Sequence, residues 1–381
     1  MTRLWRNWLD RLAIPLGLVG LAIVAIHNWR LWNQDKAFLA KRAKPNPLLP
    51  LEEWPELPKI SVLVAAWNEA GNIERHIRSF LALRYPNKEL LICAGGEDGT
   101  FDLASSHQDS SIQVLKQRKG DGKQKSLARS FPLSTGSIIF LTDADCSLDD
   151  KCFENTIEPI VSSREEAATG RFCPLAVQRE NSFVQQQWYV DTYWRDRSPD
   201  YIEGLIGRNA AVNRDVLEGI GGFAAGVKTG TDYYLARQLT GNGTRIRYVH
   251  ESSIETEFQT SAAKYLRQQS RWLRNIILHG SSFAAWQQVK GAVLQCTTGF
   301  VFLVWPAAVI IFGWTAPALW LILFSHGSLS RMRRIRYGEL VLDQRHRPKT
   351  YIHAPLYFLL DQVMLANSLL EWLIPGLRWR W

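Results

Sequence analysis

The chain has 381 residues, 46% of them hydrophobic and 21% charged, which supplies a packed core and excludes a disordered or collagen-like chain. Lys and Arg outnumber Asp and Glu by 45 to 36, and a balance of +9 suits nucleic acid, an anionic membrane or a phosphate-bearing substrate, so the position of the charge must decide. Cys93, Cys146, Cys152, Cys173 and Cys296 include no C-x-x-C pair, which speaks for reduced thiols over a disulfide framework or a zinc site.

Residues 12–29 carry no Asp, Glu, Lys or Arg, a run about long enough to cross a hydrocarbon core as a helix. A signal peptide shares the basic start and short apolar run. It would need a small-residue cleavage site before Asn33, where bulky His27, Asn28 and Trp29 stand instead. We read 1–32 as a retained span and 33–58, with Pro45, Pro47, Pro50, Pro55 and Pro58, as a linker. Residues 59–67 read as a buried strand and 69–83 as a helix with Ile73, Ile77, Phe80 and Leu81 on one face. Strands at 89–94, 112–116 and 137–142 follow, alternating with helices at 101–106 and 125–131. This alternation predicts an α/β domain over 59–260 with a mostly parallel sheet and helices on both faces.

Beyond it, 261–290 mixes Lys264, Arg267, Arg271 and Arg274 with Tyr265, Trp272 and Leu273, the character of an interfacial helix. Residues 291–330 contain no Asp, Glu, Lys or Arg and are interrupted by Pro306, Gly313 and Pro317, which fits a hairpin of two spans. A basic loop at 331–350 precedes 351–381, whose Asp361 and Glu371 are costly in lipid unless paired, so this stretch spans or lies in the interface. Trp5, Trp8, Trp29, Trp32, Trp372, Trp379 and Trp381 flank the apolar runs, where indoles favour the headgroup layer. Arg30, Lys36, Lys41, Arg42 and Lys44 outweigh Arg3, Arg6 and Arg11 across the first span. With the basic loop on the same side, the expectation is a multi-pass protein of the cell membrane, its α/β domain cytosolic.

Ligands of open α/β sheets sit beyond the carboxyl ends of the strands. There stand Trp67-Asn68-Glu69, then Gly95 to Gly99 with Glu97 and Asp98, then Asp143-Ala144-Asp145; Lys123 lies among glycines before the helix leading to the last. Two carboxylates one residue apart offer hard oxygens to Mg²⁺ or Mn²⁺, ions that usually arrive with a substrate's phosphates. A solvated turn is the plainer reading of the triplet alone. Asp232, ahead of Leu235 and Leu239, is either a helix N-cap or a general base.

In order, Trp67-Asn68-Glu69, Gly122-Lys123, Asp143-Ala144-Asp145, Gly221-Gly222-Phe223, Thr231-Asp232 and Gln268-x-x-Arg271-Trp272 resemble the membrane-integrated family-2 glycosyltransferases, which hold the cellulose, chitin and hyaluronan synthases. The likeness covers roughly residues 59–275. It implies a GT-A domain, flanked by transmembrane helices, that moves a hexosyl unit from a nucleotide-diphosphate sugar with inversion. By the same resemblance Asp145 holds Mg²⁺ or Mn²⁺, and Asp143, Asn68, Glu69, Asp98 and Lys123 bind the donor. Asp232 is the catalytic base, while Gln268, Arg271 and Trp272 meet the acceptor and the diphosphate. The family's usual Asp pair after the second strand is replaced here by Ala94, Gly95 and Gly96, with Asp98 or Glu97 as the substitute, and Thr231 replaces an acidic residue. The acceptor expected is membrane-associated, a polysaccharide slightly ahead of a glycolipid. Expected partners are membrane lipids, further copies of the chain or an export partner. A non-catalytic nucleotide-binding scaffold is the reading from another class. Nucleic acid ranks last, because the basic residues cluster beside the spans.

Overall fold

The computed structural model describes residues 3–42, 48–162, 164–345, 347–374 and 376, with side chains from Asp10 onward. Lys44, Pro45, Pro47, Pro375, Trp379 and Trp381 lie outside the described residues, as do the side chains of Arg3, Trp5, Arg6 and Trp8. The chain divides into two compact units: Pro45–Gln178 with Arg195–Phe258, and Met1–Lys44 with Arg179–Trp194 and Gln259–Trp381.

The first helix, α1 (Arg3–Lys41), belongs to the helical unit. The α/β unit then runs β1 (Ile60–Trp67), α2 (Ile73–Leu81), β2 (Lys88–Gly95), α3 (Thr100–Ser105), β3 (Ile112–Lys116), α4 (Gly122–Ser130), β4 (Ile138–Asp143), β5 (Cys146–Ser147), α5 (Asp150–Val161) and β6 (Ala167–Pro174). The chain leaves it as α6 (Ser182–Arg195) and returns with β7 (Tyr201–Ile202), β8 (Ala210–Asn213), α7 (Arg214–Gly219), α8 (Thr231–Gly241) and β9 (Ile246–Thr256). The sheet order is β3-β2-β1-β4-β8-β6-β9-β5, with β7 paired to β9. β3, β2, β1 and β4 are mutually parallel, β8 enters antiparallel, and β6 pairs β9 in parallel. The expected α/β fold is therefore present, its parallel half first in sequence.

Why the early strands read as continuous apolar runs is visible in their alternation. Ile60, Val62 and Val64 point into one core with α2 and α5, while Leu63, Ile139 and Leu141 point into another with Leu127, Leu235 and Leu239. A strand buried on both faces needs no polar side. The common direction of β1, β2 and β4 places their carboxyl ends, and the loops after them, along one edge.

The helical unit continues with α9 (Ala262–Ser282), α10 (Trp286–Val304), α11 (Val309–Phe312), α12 (Thr315–Val341), α13 (Pro348–Ile352) and α14 (Ala354–Leu373). Among the described residues, two stretches, Asp10–Lys41 and Trp286–Phe312, are long and apolar enough to cross a membrane. Gly313, at φ 59°, turns the chain between α11 and α12, and Asp10 Oδ1 accepts from the Trp314 amide at 2.7 Å. The chain doubles back here, since Trp305 donates to the Ala316 carbonyl and Trp320 to that of Phe302. The two costly acids of the last stretch are both paired. Asp361 accepts from Tyr265 at 2.9 Å and pairs with Arg331, and Glu371 pairs with Arg274 at 2.7 Å. Helix α6 is tied in by Arg331 donating to Gln186 at 2.9 Å and Thr350 to Gln185 at 3.0 Å.

Candidate active site

Beyond the carboxyl end of β4, Asp143 Oδ1 meets the Lys123 ammonium at 2.7 Å, and the same nitrogen lies 3.1 Å from Asp232 Oδ1. Lys123 comes from the first turn of α4 and Asp232 from the first turn of α8. Three predicted site residues, far apart in sequence, thus share one centre in the α/β unit. Burial alone would lower the Lys123 pKa, but Asp143 and Asp232 outweigh it and hold the amine above its ordinary range. Asp232 is not the N-cap of its helix, a position taken by Gly230; its carboxylate also accepts from the Thr231 hydroxyl at 3.2 Å.

Two residues that sequence reasoning missed complete the centre. Arg208 places Nε 3.7 Å from Asp143 Oδ2 and donates to Thr256 at 3.0 Å, its guanidinium 5.1 Å from the centre of the Phe172 ring. Desolvation opposes its charge, yet Asp145 and Asp143 raise its pKa above the ordinary arginine value. Gly207 precedes it, and a Cβ there would lie 2.0 Å from Asp232 Oδ1, so only glycine lets the backbone pass this carboxylate undisturbed. Both lie in a loop before β8, where no periodicity marks them.

Asp145 follows on the same turn, cradled by α2. Arg75 donates to its carbonyl at 3.1 Å and to Asn72 Oδ1 at 2.8 Å, while Asn72 donates to Glu69 Oε2 at 2.8 Å. Burial, with Asp143 nearby, raises the Asp145 pKa. Burial also pushes Glu69 up to about 7, opposed by Asn72 and assisted by Asp145, Asp143 and Glu257. Asp143 is already compensated by Lys123 and Arg208, but Asp145 and Glu69 are desolvated beside it, and theirs is the charge a hard divalent cation would relieve; the oxygens of Asp143 and Asp145 suit Mg²⁺ or Mn²⁺ on that account.

The remaining donor-side candidates are engaged in shaping loops. Asn68, at φ 56°, accepts from the Glu97 amide at 2.9 Å and so ties the loop after β1 to the loop after β2. Asp98 Oδ2 accepts from the Ala70 amide at 3.0 Å and Oδ1 from the Thr100 hydroxyl at 2.6 Å. These hydrogen bonds, Thr100's first, keep its carboxyl below the usual range. Glu97 pairs instead with Lys119 on the surface. Gln268, Arg271 and Trp272 stand on one face of α9 in the helical unit, the first two half-buried and Trp272 37% exposed.

A parallel β3-β2-β1-β4 half-sheet, a mixed second half and an acidic turn at the end of β4 define the GT-A class of α/β fold. A solved mannosyltransferase from Pyrobaculum calidifontis, in complex with GDP-Man and Mn²⁺, has this fold over 96% of the present chain and 99% of its own, at 18% identity and a TM-score of 0.54. The domain described as glycosyltransferase like family 2 matches residues 58–275, and the chain belongs to that family. The domain of glycosyl transferase family 21 matches residues 201–380. Among curated relatives, the glycosyltransferase AglE of Haloferax volcanii is 23% identical over 51% of this chain and 66% of its own length. The beta-monoglucosyldiacylglycerol synthase of Trichormus variabilis is 25% identical over 57% and 48%. The alignment thus spans from about half to just under two thirds of these relatives.

Proposed function

We propose that the chain transfers a sugar from a nucleotide-diphosphate donor to a membrane-associated hydroxyl, in a single displacement that inverts the anomeric carbon. The observation that carries this reading is the Lys123 ammonium held between Asp143 and Asp232, which joins the donor-binding turn to the candidate base. Asp232 accepts the acceptor hydroxyl's proton as its oxygen attacks an oxocarbenium-like centre. Lys123 and Arg208 set positive charge where the departing diphosphate becomes more negative. Asp145, with Asp143 beside it, would hold Mg²⁺ or Mn²⁺, which supplies further neutralisation of that leaving group. Asn68, Glu69 and Asp98 shape the donor side, and Gln268, Arg271 and Trp272 offer a fork for phosphate and an indole face for a pyranose ring.

The two long apolar helices, and the excess of Lys and Arg after the first of them, support a multi-pass membrane protein whose α/β unit is cytosolic. The acceptor is then a lipid or a growing polysaccharide. The test presents the purified full chain with radiolabelled nucleotide sugars and Mg²⁺ or Mn²⁺, and follows label into lipid extract or ethanol-insoluble polymer. Asp232→Asn should lower transfer by about 10²-fold or more while leaving donor affinity within a few fold. Transfer undiminished by that substitution would remove Asp232 as the base, and wild-type protein that binds donor without transferring label would favour a scaffold.

A further inference from the structure

Helix α12 carries no Asp, Glu, Lys or Arg from Thr315 to Ser330, then bears Arg331, Arg333, Arg334 and Arg336 in quick succession. Three of these four meet carboxylates within the helical unit: Arg331 meets Asp361, Arg333 meets Asp35, and Arg336 donates to Glu339 at 3.2 Å. Arg334 does not. Its guanidinium lies 4.9 Å from the centre of the Trp194 ring and 5.8 Å from that of Tyr193, and among the described residues nothing accepts a hydrogen bond from it. Its Nε is buried without a partner.

A guanidinium keeps its charge when buried, and desolvating it without a counter-charge is unfavourable. Aromatic rings offset part of that through their faces, but they cannot satisfy donors lying in the guanidinium plane. Nε is buried, but the two terminal nitrogens are not, so an anionic oxygen from outside the chain can reach them. Two neighbouring contacts fix the depth of the residue. Ser330 donates to Asn28 of α1 at 3.1 Å, and Arg333 pairs with Asp35 of α1, so Arg334 sits level with the point where the apolar run at 12–29 gives way to Arg30. Trp194 is 54% exposed there, as an indole at a headgroup layer would be.

We propose that Arg334, framed by Tyr193 and Trp194, binds the phosphate of an anionic phospholipid at the edge of the bilayer. This site is separate from the acceptor motif on α9 and rests on the membrane reading given above. The guanidinium fork matches two phosphate oxygens, and Arg334 is the arginine of this cluster whose charge no carboxylate pairs among the described residues.

The test uses the full chain in neutral detergent, with phosphatidylglycerol or phosphatidylcholine added and retained lipids counted by native mass spectrometry. Wild type should retain phosphatidylglycerol in preference, and Arg334→Gln should weaken that retention about fivefold, the worth of one basic residue at a membrane surface. Arg334→Lys should fall between them. Trp194→Leu, which removes the frame and leaves the charges, should weaken retention as well and carries the test if Arg334→Gln fails to fold. Equal retention by wild type, Arg334→Gln and Trp194→Leu would overturn the proposal. So would displacement of the lipid by millimolar inorganic phosphate, which would mark a site for the free ion. Extraction of the wild-type chain from membranes by alkaline carbonate would defeat the membrane reading and this inference together. Resistance to carbonate with unchanged lipid retention would defeat this inference alone.

Discussion

At Gly207 the backbone passes so close to Asp232 that even a methyl group would sit 2.0 Å from its Oδ1. The Gly207 carbonyl also accepts from Lys123 at 3.3 Å, so one short loop limits where both the carboxylate and its ammonium partner can lie. Gly207→Ala should displace Asp232 rather than unfold the domain, because Asp232 stands in the first turn of α8 and its side chain can rotate away. A displacement near 1 Å at a reacting group costs on the order of 10²-fold in rate. The expected result is a loss of transfer of that size with the melting temperature nearly unchanged; wild-type turnover would show that Asp232 needs no such placement. Motif spacing pointed to Lys123, Asp143 and Asp232 one by one, but their meeting at one nitrogen is a tertiary fact. Gly207 and Arg208 lay in a loop with neither periodicity nor a turn signature, so only proximity reveals them.

The elements that carry the acidic turn are themselves held by buried polar contacts, and one of these titrates. His76 of α2 donates from Nδ1 to the Cys146 carbonyl at 3.0 Å, the tautomer required because a carbonyl only accepts, and its Nε2 is buried without a partner. Burial pushes its pKa from 6.5 down to about 4. Between these values the unfolded chain binds more protons than the folded one, so stability is full above about pH 6.5 and falls as pH drops towards 4. The whole effect is about 3 kcal/mol. His76→Asn keeps a donor for the carbonyl and cannot titrate, so its melting temperature should fall less steeply over this window; parallel curves would count against a buried neutral imidazole. In the helical unit, α9 is tied to α14 at Tyr265–Asp361, Ser270–Asn367 and Arg274–Glu371. Glu371→Ala takes the carboxylate from a buried arginine and should destabilise by about 3 kcal/mol, read as a lowered melting temperature, with Glu371→Gln milder. Helix α2 and strands β1, β2 and β4 are legible because apolar side chains recur at helical spacing or run unbroken through buried strands, and α3, α4 and β3 because they complete the alternation of strand and helix. The second half of the sheet is not. Strands β7 and β8 are short, and β6 shifts register against β9 between Thr169 and Arg171, so no regular pattern survives in the sequence.

On the scale of the whole molecule, the α/β unit is not one continuous stretch of chain. Residues 59–260 read as a single domain, yet Arg179–Trp194 groups with the helical unit, and the polypeptide returns at Arg195. Helix α6 is dressed for that unit. Gln186 donates to the Thr350 carbonyl, the rings of Tyr193 and Tyr337 meet at 5.1 Å, and a Cβ at Gly338 would lie 2.7 Å from Tyr189 Cα, so the two helices touch backbone to backbone there. A fragment of residues 45–258, cut at the apparent domain edges, would strip away α1 and α9 to α14, expose Trp188, Tyr189 and Tyr193 as an apolar patch, and leave the Gln186 amide and the Gln185 side-chain oxygen without their partners. We expect that fragment to aggregate on purification. Replacing residues 179–194 in it by a short glycine-serine linker should restore a monomer, because every strand of the sheet lies outside the excised segment. Size-exclusion chromatography distinguishes the cases, and a monodisperse, fully soluble fragment with α6 intact would show that this helix does not depend on the helical unit for its cover.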